Sequence, residues 1–364
     1  MLPVIFFLSF APRDLVKIQP RYVIRPSETH RVQIFSTKAA ISFLEHKALI
    51  ELQWRVLSST SASSVNMYLI RRQPQTQQEN GPSEREAKVC ELRDALGPLS
   101  GRSLQYCSDS CLRRYLEARS WNVNKAKKML EETLKWRATF KPEEIRWHEV
   151  AHEGVTGKIS RANFHDRNGR TVLIMRPGMQ TTKCTEDNVR YMVYLLENGI
   201  LNLADGQEQM SWLIDFTGWS LSTNIPIKTS RDCINVLQNH YPQRLAIAFL
   251  YNPPRIFEAF WKAVRYFMDP ITSKKVKFVY PKKKESLELM QSYFDIENLP
   301  SEFGGKTSLE YDHEEFSRLM VEDDVKTAKF WGSGEMSRHI ADDHLAQVAP
   351  APPPAPVPLA ITAS

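Results

Sequence analysis

Two short segments carry residue types that do chemistry elsewhere. His148-Glu149-Val150-Ala151-His152 fits the H-E-x-x-H pattern, in which two histidines one helical turn apart bind zinc and the glutamate activates a water. Gly154 is expected to end that helix directly after the second histidine, and no third ligand follows at the extended spacing. A zinc hydrolase built on His148, Glu149 and His152 is the enzymatic alternative. Gly304-Gly305-Lys306-Thr307 looks like the end of a phosphate-binding loop, but the first glycine of that pattern falls on Pro300, and the segment does not join a strand to a helix. Neither a G-x-S-x-G elbow nor a G-x-G-x-x-G turn occurs, so hydrolase and dinucleotide readings have no starting point. The five cysteines are odd in number and scattered, which implies reduced thiols and a reducing, cytoplasmic compartment. The chain is therefore read as a non-enzyme, with no cofactor and no metal.

The elements that would position any site come next. The 364 residues can bury a sizeable core, and Lys+Arg 48 against Asp+Glu 42 gives a formal charge of +6. That mild bias favours an anionic partner and is too small for a nucleic-acid binder. No apolar run of membrane-spanning length exists. Residues 1–83 read as a basic leader and a Gln/Pro/Gly linker, largely disordered; whether 1–66 form a leader or Met67 is the true start stays open. Residues 84–142 have helical period, with Asn122 as an N-cap. From 143 to 308 apolar runs alternate with helical stretches, an α/β pattern with mainly parallel strands. Strands are expected at 171–175, 212–216, 245–251 and 276–279, helices at 187–203, 229–240 and 255–268, and a turn at Asp166-Arg167-Asn168-Gly169. Residues 309–364 read as a polar, Pro-rich tail, a possible handle for a protein partner.

The helix expected at 255–268 opens on Pro253-Pro254 and is apolar around most of its circumference, through Phe257, Phe260, Trp261, Val264 and Phe267 among others. Glu258, Lys262 and Arg265 share one narrow face. A buried core helix has this composition, and so does a helix lying in a membrane interface. Lys274, Lys275, Lys277, Lys282, Lys283 and Lys284 follow it and favour the second reading. Burying four such aromatics contributes at most on the order of 6–12 kcal/mol. Each lysine near an anionic surface adds about 1 kcal/mol, so the aromatics supply depth and the lysines orientation.

Several motifs occur in order along the chain: Leu112-Arg113-Arg114-Tyr115-Leu116-Glu117-Ala118-Arg119, Trp136-Arg137, Ile214-Asp215-Phe216-Thr217-Gly218, Tyr241-Pro242-Gln243-Arg244-Leu245, Tyr251-Asn252-Pro253-Pro254, Asp269-Pro270 and Phe303-Gly304-Gly305-Lys306. Together they resemble the CRAL-TRIO family of phosphatidylinositol-transfer type, its single-domain plant members in particular, over about residues 93–306. The resemblance implies a helical lobe, an α/β lobe flooring an apolar lipid pocket, and a gate helix matching 255–268. It implies a monomer, peripheral to membranes, that transfers a phospholipid without covalent chemistry. It assigns the lipid headgroup to Arg119, Thr272, Lys275 and Gln243, where Gln243 replaces the family's glutamate. It disfavours phosphatidylcholine, because Met210 and Trp212 stand where that ligand's hydroxyl partners belong. A carrier of another hydrophobic ligand, of sterol, tocopherol or retinoid type, would not need Arg119 and Lys275.

Overall fold

The structure is a computed structural model and describes residues 81–220, 226–255, 274–308 and 310–332. Residues 256–268 of the expected gate helix, with Phe257, Phe260, Trp261, Val264 and Phe267, together with Thr272, residues 1–80 of the expected 1–83 leader and linker, and the proline-rich end lie outside the described residues, while Pro82 and Ser83 already belong to the first described helix.

Four helices open the described chain: α1 (Pro82–Leu96), α2 (Gly101–Tyr106), α3 (Asp109–Ala118) and α4 (Val123–Phe140). Short polar side chains start two of them. Ser108 Oγ accepts the Cys111 N–H at 3.3 Å, and Asn122 Oδ1 accepts the Lys125 N–H at 2.9 Å, so the expected cap is present. Val89, Leu92, Leu112, Tyr115, Met129 and Leu130 close a small core between α1, α3 and α4. This is the expected helical lobe.

The α/β lobe follows: α5 (Trp147–Gly154), β1 (Ile159–His165), β2 (Thr171–Met175), α6 (Thr185–Leu201), β3 (Met210–Asp215), α7 (Ile227–His240), β4 (Leu245–Tyr251), β5 (Val276–Val279), α8 (Lys284–Tyr293) and α9 (His313–Phe330). The five strands lie in sequence order, with β1 antiparallel to β2 and every later pair parallel. Strand β1 is absent from the sequence-based strand set, because the half-buried Arg161 and the exposed Asn163 and His165 break the apolar run. Asp166 builds the turn that joins β1 to β2: its Oδ1 accepts the N–H groups of Asn168 and Arg170, each at 2.9 Å, and its Oδ2 accepts the Ser211 hydroxyl at 2.6 Å.

Right-handed crossovers that all step the same way place their helices on one face of the sheet. Leu173, Trp212, Ile214 and Leu250 accordingly meet α6 and α7, while Ile174, Leu213, Phe249 and Val279 meet α8 and Phe303 on the other face. Alternation along each strand thus feeds two cores.

One boundary differs from expectation. Residues 313–330, placed by the sequence within a polar tail, form α9, capped by Asp312 Oδ1, which accepts from Glu314 N at 2.8 Å and Glu315 N at 3.0 Å. Phe316, Met320 and Ala328 are buried, and so are the side chains of Asp323 and Asp324.

Candidate functional site

Lys275 stands at the amino end of β5 and Gln243 in the turn before β4, so parallel pairing of β4 with β5 brings the two ends together. The Lys275 ammonium donates to Gln243 Oε1 at 3.3 Å and to the Leu245 carbonyl at 2.9 Å. Pro242 precedes Gln243, whose φ is 58°, the proline-then-left-handed sequence of a tight turn. That turn aims the amide at Lys275. With Oε1 accepting from the ammonium, the amide's Nε2 is left as its donor end.

A second group lies at the same strand ends. Arg244 follows Gln243, and its Nη1 donates at 2.8 Å both to Glu208 Oε2 and to the Glu208 carbonyl, just before β3. Arg114 of α3 donates to the same Glu208 oxygen. Burial, and then the Arg114 guanidinium, push the Arg244 pKa down from its usual value. Arg114 and Arg244 are two cations on one carboxylate, and Lys275 meets the neighbouring Gln243, so cations outnumber the carboxylate along these strand ends, which suits an anion. Sequence reasoning missed Arg114, Glu208 and Arg244; the signal lay in two of the quoted motifs, where both arginines flank expected site residues.

Of the other headgroup candidates, Arg119 is half-buried at the C-cap of α3, five residues beyond Arg114, with Nη1 donating to the Ala118 carbonyl at 3.2 Å. The expected set therefore divides: Gln243 and Lys275 touch each other, and Arg119 is held by the helical lobe. Leu245, whose carbonyl accepts from Lys275, is half-buried, as are Phe278 and Leu237, and all three pack on the core that α6 and α7 cover.

Family signatures match in two places: the CRAL/TRIO N-terminal domain at residues 91–132 and the CRAL/TRIO domain at 156–305. The phosphatidylinositol transfer protein PDR17 of Saccharomyces cerevisiae is 31% identical over 247 residues, covering 64% of this chain and 68% of that protein. The chain belongs to the CRAL/TRIO family. A CRAL-TRIO domain-containing protein of Schizosaccharomyces pombe is 34% identical over 212 residues, but the match covers only 20% of its length and 58% of this chain. The phosphatidylinositol transfer protein CSR1 of Eremothecium gossypii is 26% identical over 258 residues, 58% of its length and 66% of this chain. The chain therefore spans less than two thirds of two of these three relatives.

Within this CRAL/TRIO chain the two tempting motifs resolve structurally. Glu149 is committed to helix geometry: its Oε1 accepts the Arg146 N–H at 2.8 Å at the start of the helix, and its Oε2 accepts from Arg190. Among the described residues the only group of three potential ligands contains His152 but neither His148 nor Glu149, so the H-E-x-x-H reading is corrected. The Gly304-Gly305-Lys306 segment folds on itself. Gly305 N donates to the Pro300 carbonyl at 3.1 Å and Lys306 N to the Ile296 carbonyl at 2.8 Å, which leaves these N–H groups unable to cradle a phosphate. A Cβ at Gly305 would lie 1.8 Å from the Leu299 carbonyl, which explains the glycine without a ligand.

The Trp136-Arg137 motif fastens the lobes. Arg137 pairs with Glu197 of α6 at 2.8 Å and with Glu143 at 3.2 Å, and Tyr241 donates to Glu197 at 2.6 Å. Burial pushes the Glu197 carboxyl up, yet Arg137, by charge and hydrogen bond, holds it below its ordinary value. Trp136 stacks on the His240 ring, 4.2 Å between centroids.

Proposed function

We propose that this chain is a non-enzymatic carrier that binds one membrane phospholipid and transfers it between bilayers, with phosphatidylinositol the first ligand. The observation that carries the reading is the set of donors at the amino ends of β3–β5: the Lys275 ammonium, the Gln243 amide and the Arg244 and Arg114 guanidiniums. Membership of the CRAL/TRIO family supports it, as do relatives named as phosphatidylinositol transfer proteins. Donors match the phosphodiester more than the inositol hydroxyls, because the amide at 243 supplies an N–H where a carboxylate would only accept.

The acyl chains set the second requirement. Each methylene left in water costs about 0.8 kcal/mol, so the tails must be enclosed during transit. The half-buried Leu245, at the headgroup end, and Leu237 and Phe278 on the same core supply apolar surface. The aromatic segment 255–268 is the proposed gate, entering the membrane interface and moving aside there. Arg119 and Thr272 complete the proposed headgroup set. The carrier acts from the cytoplasm, as a monomer, peripheral to anionic membranes. Among the described residues, no helix is long and apolar enough to cross a membrane.

Native mass spectrometry of the purified full chain, with identification of the released ligand, tests this directly. One phosphatidylinositol per chain is expected. A sterol, tocopherol or retinoid in its place would assign the pocket to a different cargo, and no lipid at all would end the carrier reading.

A further inference from the structure

A different polar group stands on the far side of α6. Glu153, the penultimate residue of α5, has a side chain only 1% exposed. Its Oε2 is fully engaged, accepting from Lys158 Nζ and from the Thr182 hydroxyl at 2.6 Å. Lys158 is fixed on that side by further bonds to Thr182 Oγ1 and Asn188 Oδ1, each at 2.8 Å. The second carboxylate oxygen, Oε1, is buried and has no hydrogen-bond donor. An orphaned carboxylate oxygen is costly unless something cationic meets it.

What Oε1 faces is His152 Nε2 at 3.7 Å, and beyond it Asp187 Oδ2, also 3.7 Å from the same nitrogen. The three ligand atoms lie within 4.8 Å of one another. Bonds of about 2.0–2.2 Å from a single ion to nitrogen and oxygen span each 3.7 Å gap with about 125° between ligands at the ion and reach at most about 4.4 Å, so an ion would draw the exposed Asp187 carboxylate a few tenths of an ångström inward. The chemistry selects among cations: imidazole with two carboxylates suits zinc and its neighbours and disfavours magnesium and calcium, which take oxygen alone.

We propose that His152, Glu153 and Asp187 form a site for a zinc-like divalent cation that ties the carboxyl end of α5 to the first turn of α6. Lys158 does not occupy the place of the ion, because its three acceptors hold it against Oε2. The helix end helps, since the last carbonyls of α5 carry partial negative charge toward a cation. His152 and Asp187 are 54% and 41% exposed, which provides an entry path and leaves one coordination position for water. This site is independent of the headgroup end and of the transfer reading.

Zinc titration of the EDTA-stripped full chain by calorimetry tests it. The exposed thiols Cys90 and Cys184 are first replaced, Cys90→Ser and Cys184→Ser, so that thiolate binding cannot imitate the site. One zinc per chain is expected, together with a rise in the thermal midpoint. His152→Ala and Asp187→Asn, both at half-exposed positions, are each expected to weaken binding at least ~10-fold and to abolish the thermal shift. His148→Ala, one turn away, is expected to leave both unchanged. Absence of saturable binding in the thiol-free protein, retention of binding in His152→Ala and Asp187→Asn, or equal loss in His148→Ala would overturn the proposal.

Discussion

On the proposed reading, Gln243 is the side chain that decides what the headgroup end can recognise. Its amide and the Lys275 ammonium lie 3.3 Å apart, so changes at either position act on the same few ångströms. Lys275→Ala removes a charge-assisted donor worth about 2 kcal/mol, and phosphatidylinositol transfer between vesicles is expected to fall roughly 10- to 30-fold. The thermal midpoint should drop by no more than a few degrees, since the bonds to Gln243 Oε1 and the Leu245 carbonyl come from a half-buried side chain that water can replace. Gln243→Glu adds a charged acceptor for inositol hydroxyls and is expected to raise phosphatidylinositol affinity about five-fold. Unchanged transfer or affinity would move the headgroup away from this pair. His240 sets a pH dependence at the lobe junction, where it stacks on Trp136 and its Nδ1 lies 3.1 Å from the Thr133 hydroxyl. Burial, and then the Arg137 charge, push its pKa down to about 4. The folded ring thus takes up a proton later than the unfolded one, so its stabilisation is complete above about pH 6.5 and is lost as pH falls toward 4. For a half-buried ring open to solvent screening the loss is roughly 1–2 kcal/mol. Denaturant midpoints at pH 7 and 4.5 should therefore converge in His240→Phe, which keeps the stacking without the titration.

Among the elements, α9 shows what polar composition conceals. Its Asp323 is wholly buried, with Oδ2 accepting from Arg161 at 2.6 Å, Asn198 at 2.9 Å and Asn202 at 3.0 Å. Asp324 accepts the Trp147 N–H at 2.7 Å and the Tyr194 hydroxyl at 3.0 Å. Two adjacent aspartates in a helix read as a solvated face because a sequence shows charge and not the partners that neutralise it. Asp323→Ala would leave the largely buried Arg161 without its carboxylate and the Asn198 amide nitrogen without its acceptor, and a loss of about 3–5 kcal/mol is expected in urea denaturation. A loss under about 1 kcal/mol would mean that α9 docks through its apolar residues alone. Strands β2, β4 and β5 were legible to the residue, because buried parallel strands are short continuous apolar runs between helical stretches. Strand β1 was not, since an edge strand with one wet face alternates. The site was legible in part. Gln243 and Lys275 followed from motifs, while Arg114, Glu208 and Arg244 form an ion cluster across 94 and 36 residues of chain, a separation that local periodicity does not report.

At the scale of the whole molecule the question is which end meets the membrane. Open parallel sheets commonly bind ligands outside the carboxyl ends of their strands. At those ends Asp215 Oδ1 accepts the Thr217 N–H at 2.9 Å and the Asn252 N–H donates to the Val279 carbonyl at 2.8 Å. The donor cluster lies at the amino ends instead. Strand β5 divides the lysines that the sequence presents as one group, with Lys274 and Lys277 toward its start and Lys282, Lys283 and Lys284 past its end. The four residues of β5 put about 13 Å between Lys274, before the strand, and the lysines past its end, more than the Debye length of about 8 Å at physiological salt, so those two ends act on a membrane separately, with Lys277 in the first half of the strand. The distal group is also engaged locally, Lys283 over the Tyr280 ring and Lys284 with Glu288. If lipid enters where the headgroup end lies, the proximal pair faces the bilayer. Lys274→Glu with Lys277→Glu should then weaken binding to vesicles containing phosphatidylserine at least ~10-fold, at about 1 kcal/mol for each lysine removed. Reversing Lys282, Lys283 and Lys284 together should leave binding within about two-fold, because charges more than a Debye length from the surface are largely screened. The opposite ranking in vesicle sedimentation would seat the carboxyl ends on the membrane and detach the route of entry from the Gln243 and Lys275 pair.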